Sequence, residues 1–119
     1  MDNLKISIRP VLNVTSLGVN ESFQNGTLRP ILKLQHSIIL QLFTLFTKKQ
    51  KTDVSTYNKE ELNNYVSLIT KNNTVFRNQM LGVIIGQFTI EEFNLYKEND
   101  TEFNKRIINM ICQRINDSL

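Results

Sequence analysis

Few side chains in this sequence are suited to chemistry. His36 is the only histidine and Cys112 the only cysteine among 119 residues. A thiol activated by a neighbouring imidazole is the pairing through which such residues act as nucleophile and base. One of each makes a weak signal, and a lone cysteine in an apolar helix reads as a structural thiol. A metal centre needs at least two further ligands beside His36, and no His, Cys, Asp or Glu cluster at ligand spacing surrounds it. His36 reads as a partly exposed or capped residue at a helix edge. No cofactor is expected.

Gln35 falls near the middle of an apolar arc formed by Leu32, Ile38, Ile39 and Leu42. An unpaired amide there costs about 1 to 3 kcal/mol, so it requires a partner. Asn78 and Gln79 are the candidates, and the competing reading makes Gln35 a polar anchor in a ligand pocket. Arg29, Lys33, Arg77 and Arg106 are the remaining candidate binding residues. Brought together, they would suit an acidic peptide or a phosphate. Left apart, they are solvated or paired surface charges, with Arg106 and Arg114 placed to reach Glu91, Glu92 or Glu98. Gly82 and Gly86 share one helical face flanked by Asn78 and Gln79, which predicts close approach of another helix. They do not make a phosphate cradle, because they sit inside an apolar helical run rather than between a strand and a helix.

The elements that must position these side chains are helices. Leu28 to about Lys49 carries a broad apolar half, with Thr27 as cap and Pro30 in the first turn, and is expected to be the central helix of the core. Asn25-Gly26 before it is a turn signal; a start at Asn20 or Ser22 would instead carry the helix through Gly26 and Pro30 with a kink. Asn58 and Glu61 form a capping box for a helix to about Lys71, with Leu62, Tyr65, Val66 and Ile69 as its stripe. A mostly buried helix covers about Val75 to Gln87. Thr89 with Glu92 starts a short helix to about Glu98, with Ile90, Phe93 and Tyr96 inward. Asn99 with Glu102 starts the last one, about Asp100 to Asn116, with Phe103, Ile107, Met110, Ile111 and Ile115 on one face.

Residues 1–20 form an arm. Leu4, Ile6 and Ile8 alternate with strand period, but Pro10 ends the run and nothing pairs with it, so the arm is expected to be extended or mobile, or laid over a groove. The fold class is thus all-α: a compact bundle of about five helices over residues 21–119, a single domain, preceded by the arm. Alanine is absent throughout, so the helices must rely on caps and on packed Ile, Leu and Phe faces.

The pieces Phe23 to Lys33 (FQNGTLRPILK), Phe76-Arg77-Asn78, Gly82 to Thr89 (GVIIGQFT) and Asn104 to Ile107 (NKRI) resemble a family of small helical bacterial proteins over roughly residues 21–116. Members often bear the label glyoxalase. The resemblance implies a helical fold without an established activity; a vicinal-oxygen-chelate glyoxalase would need a β-rich fold and a His/Glu metal set, which one histidine and a helical pattern do not supply. Gly26, where a larger helix-compatible residue is expected, is a local departure.

No run approaches the roughly 20 apolar residues that span a bilayer. Nor do the first residues form a signal peptide, and the single cysteine suits a reducing compartment, so a cytoplasmic location is expected. Six Asn-x-Ser/Thr triplets, at Asn13, Asn20, Asn25, Asn72, Asn99 and Asn116, would suggest glycosylation, but no route to the secretory pathway is expected and several of them are better explained as helix caps. The net charge of +3 is uneven: residues 1–51 hold seven basic and two acidic side chains, residues 52–119 seven and nine. The functional expectation is a non-enzymatic protein-interaction module whose arm or exposed helix face contacts a protein partner or a second copy in a homodimer, with no membrane. A nucleic-acid-associated protein using Lys48, Lys49, Lys51, Lys5 and Arg9 is the first alternative. An enzyme with a pocket near Gln35 and His36 is the third.

Overall fold

Without alanine, caps must start the helices and packing must hold them. The computed structural model describes residues 2–10 and 19–119, of which no residue is in a strand. Of these residues 83% are helical, in more segments than the expected five. In order these are α1 (Asp2–Ser7), α2 (Val19–Phe23), α3 (Arg29–Leu34), α4 (His36–Lys49), α5 (Lys59–Asn72), α6 (Thr74–Ile85), α7 (Ile90–Lys97) and α8 (Asp100–Ser118). A π turn, Gln24–Leu28, joins α2 to α3, and a 3-10 turn, Val54–Thr56, precedes α5.

Two capping boxes form as the sequence predicts. Asn58 accepts from the Glu61 N–H while Glu61 accepts from the Asn58 N–H, and Thr89 and Glu92 do the same for α7. The third does not. Asn99 makes no side-chain cap bond, and Glu102 turns instead toward Arg106 at 3.6 Å. None of the triplet asparagines Asn25, Asn72, Asn99 or Asn116 caps a helix; Asn73 starts α6 by accepting from the Phe76 N–H. Asn13 and the side chain of Asn20 lie outside the described residues.

The first long helix does not begin at Leu28 but takes the alternative course, starting at Val19 and passing through Gly26 and Pro30. Helix runs through Asn25-Gly26 as a π turn, closed by the Arg29 N–H on the Gln24 carbonyl, and no turn or Thr27 cap intervenes. Pro30 explains the widening. Proline has no N–H to offer and its ring crowds the carbonyl four residues back, so a wider turn lets the helix pass. The same helix breaks gently at Gln35 (φ −93°, ψ 8°), which separates α3 from α4.

α8, rather than α4, is the centre of the bundle. It packs against α4, α5, α6 and α7, and Phe103, Ile107, Ile108, Ile111 and Ile115 on it are all buried. On α4, Ile39 and Phe43 are buried but Ile38 and Leu45 face out, so its buried stripe is narrower than its apolar half. Val75 on α6 and Ile90 and Phe93 on α7 are also exposed, against the inward placement that spacing suggested. One end of the core is aromatic: Phe23 lies 4.6 Å from Phe103 and 5.6 Å from Phe88, and Phe88 lies 5.5 Å from Tyr96, centroid to centroid.

The close-packing role expected of Gly82 and Gly86 is overturned. Both are exposed, a Cβ at Gly82 would meet nothing within 4 Å, and one at Gly86 would meet the Gly82 carbonyl of its own helix.

Candidate functional site

The arm is helical over Asp2–Ser7, not extended; residues 11–18 lie outside the described ones. Asp2, Lys5 and Arg9, spaced i, i+3 and i+7, share one side of this turn and its continuation, and that side faces the body. Asp2 Oδ2 accepts from the Ile90 N–H at 3.1 Å, satisfying one of the free donors at the start of α7. Lys5 Nζ donates to the Phe88 carbonyl at 3.0 Å. Arg9 donates to both carboxylate oxygens of Glu92, at 2.7 and 2.8 Å, and to the Gln87 carbonyl.

Glu92 is the hub of this clamp. Its carboxylate also accepts from the Thr89 N–H at 2.9 Å and from the Thr27 hydroxyl at 3.0 Å. Burial works to raise its pKa, but the hydrogen bonds and charge of Arg9 with those of Thr89 and Thr27 outweigh it, leaving the carboxyl below its ordinary range.

The consequence is a helix docked with its polar side inward. Leu4, Ile6 and Ile8 are 63%, 53% and 56% exposed. Strand-like alternation misled here because neither side of the arm is buried by apolar contact; the charges decide which way it faces. Ile90 and Phe93, on the helix to which the arm is clamped, are exposed as well.

A second feature lies along α8. Gln24, Arg29 and Leu32 on one side and Met110, Arg114 and Asp117 on the other border a cleft of about 370 Å3. Arg29 Nε donates to the Asn25 amide oxygen at 2.8 Å, and Arg114 Nη1 to His36 Nδ1 at 3.2 Å. Arg106 Nη1 donates to Gln24 Oε1 at 2.9 Å. Burial first, then the charge of Arg29, holds the Arg114 guanidinium below its ordinary range, while Asp117 opposes them.

The five candidate binding residues are thereby separated. Arg29 borders the cleft and Arg106 reaches it through Gln24, whereas Lys33, Gln35 and Arg77 are not among its lining residues. Gln35 Nε2 donates to the Val83 carbonyl at 3.2 Å, so its partner is backbone on α6 rather than Asn78 or Gln79. Arg106 and Arg114 bond Gln24 and His36, not the acidic residues of α7. Cys112 and His36 do not form a pair: burial pushes the thiol pKa up, and its polar neighbours are Ser67, Lys71 and Asn116. No three His, Cys, Asp or Glu side chains converge among the described residues. Sequence reasoning missed Arg9, Glu92, Gln24 and Arg114 as partners because each pairing joins residues at least 65 positions apart or depends on the π turn, and local spacing carries no such information.

Compared with protein-family models, curated proteins and solved structures, the chain matches none of them. No helix among the described residues is long and apolar enough to cross a membrane.

Proposed function

We propose that this protein is a non-enzymatic interaction module that binds a protein partner, a second copy of itself included, through the outward side of its arm. The observation that carries this reading is the inverted docking of α1. Leu4 and Ile6 on this short helix and Ile8 in the turn that follows stand in solvent while the charged side is consumed internally, and exposed large apolar side chains of this kind favour protein contact. Clamping by Asp2, Lys5 and Arg9 fixes the helix beforehand, which lowers the ordering cost of association.

The same clamp disfavours the nucleic-acid reading. Lys5 and Arg9 are bound to Phe88, Gln87 and Glu92, leaving Lys48, Lys49 and Lys51 as the exposed remainder of that basic set. A cytoplasmic setting belongs to this proposal, since a reducing compartment suits the free, buried Cys112. So does the likeness to the helical bacterial family, which contributes a fold and no activity.

The test compares the full chain with a Leu4→Ser/Ile8→Ser double variant, using sedimentation over a range of concentrations and affinity capture from native lysate. Concentration-dependent dimerisation, or a partner retained at high salt, should be present for the natural sequence and lost for the variant. A strict monomer whose captured proteins are the same for both chains would overturn the reading.

A further inference from the structure

The arginine cleft has a chemistry independent of the arm. Both of its guanidiniums are held by neutral acceptors, Arg29 by the Asn25 amide and Arg114 by the His36 imidazole. Neither forms an ion pair with a carboxylate of the described residues; Asp117 borders the cleft without bonding to either. Gln24 is set in the same sense. Arg106 donates to its amide oxygen, which leaves the NH2 group of this cleft-lining side chain as a donor still to be used. Each of these anchors consumes an acceptor and leaves donors, and two like charges stand side by side against one carboxylate.

We infer that the cleft between Arg29 and Arg114 binds a small hydroxylated phosphomonoester, its phosphate held by the two guanidiniums and the Gln24 amide and its organic part laid on Met110, beside the buried Leu32. Planar guanidinium forks match phosphate oxygens in pairs, and two of them suit a dianion better than a carboxylate that one arginine satisfies. The volume, about 370 Å3, exceeds what inorganic phosphate fills and lies at the low end of the range for small-molecule sites, about 300 to 1,000 Å3. No aromatic residue lines the cleft among the described residues, so a nucleobase has no stacking platform there. Asp117 at the border would repel a bare anion but accepts a hydrogen bond from a ligand hydroxyl, which selects a polyol phosphate. This site does not involve α1, so it stands or falls separately from the arm's proposed role.

The experiment titrates the full chain with glycerol 3-phosphate at constant ionic strength, following amide chemical shifts. Saturable binding is expected, with shifts confined to the π turn, α3 and the end of α8. Arg29→Gln and Arg114→Gln should each weaken it about tenfold or more, and the double variant should abolish it. Arg77→Gln, away from the cleft, should bind normally, and unchanged melting temperatures would show that the variants remain folded. Non-saturable shifts, or equal binding by the double variant, overturn the site. Inorganic phosphate binding as tightly as glycerol 3-phosphate, or a phosphoserine peptide binding more tightly, overturns the small polyol phosphate as its ligand.

Discussion

Arg9 and Glu92 meet at 2.7 Å across 83 positions of sequence, with side chains only 6% and 16% exposed. The pair joins the arm to the start of α7, and through Thr27 the same carboxylate touches the π turn. A capping glutamate has thus become the point at which three separate segments are fastened. An ion pair this far from solvent is costly to halve, because removing one partner strands the other.

Arg9→Ala should therefore destabilise the protein by about 1 to 3 kcal/mol, since the carboxylate loses two charged hydrogen bonds but keeps those from Thr89 and Thr27. Glu92→Gln should cost a similar amount and release the arm as well. Chemical denaturation measures the stability, and hydrogen exchange at residues 2–9 reports the release. An Arg9→Ala protein with native stability and an equally protected arm would show that the clamp contributes nothing.

The same carboxylate sets a pH dependence. Its folded pKa lies below its unfolded one, so its contribution is fully present above the ordinary glutamate range, about 4.3, and is lost as the pH falls through the folded value. Between pH 5 and 3 the natural chain should lose more stability than Glu92→Gln does. Parallel acid curves for the two proteins would remove Glu92 as a source of that loss.

What local pattern dictates was legible in the sequence: the all-α class, the boxes at Asn58 and Thr89, and the α8 face around Ile107 and Ile111. What failed was inward and outward assignment wherever apolar residues exceed the buried area available. Ile38, Leu45, Val75, Ile90 and Phe93 all fit a helical stripe, yet the neighbours that would cover them are absent among the described residues. The cleft was half legible. Arg29 and Arg106 were among the candidate binding residues, but bringing Gln24 and Arg114 to them depends on a π turn that Pro30 favours and no periodicity announces.

Gly82 offers a correction that can be measured. It is an exposed helical residue beside open space, so a methyl group there meets nothing and the backbone loses freedom only in the unfolded chain. Gly82→Ala should raise stability by about 0.5 to 1 kcal/mol. A lower melting temperature would restore the tight helix contact that the structure removes.

Cys112 should behave as an inert thiol. Burial raises its pKa, and it lies against α5 near Ser67 and Lys71. At pH 7.5 a thiol-reactive disulfide reagent should modify the native protein at least about tenfold more slowly than the denatured chain, whose cysteine titrates near 8.5. Equal rates would mean that the α5 and α8 contact opens readily.

Tyr65 presents the opposite case, a polar group whose removal should help. Its hydroxyl is buried with no hydrogen-bond partner among the described residues, while its ring lies 6.4 Å from Phe43 and 5.8 Å from Tyr57. Tyr65→Phe keeps both ring contacts and deletes only the unsatisfied oxygen, so the desolvation cost disappears without a packing loss. Stability should stay level or rise by up to about 1 kcal/mol. A loss of that size instead would require a partner for the hydroxyl, and the α4 and α5 contact around Phe43 would then owe part of its strength to a polar bond rather than to rings alone.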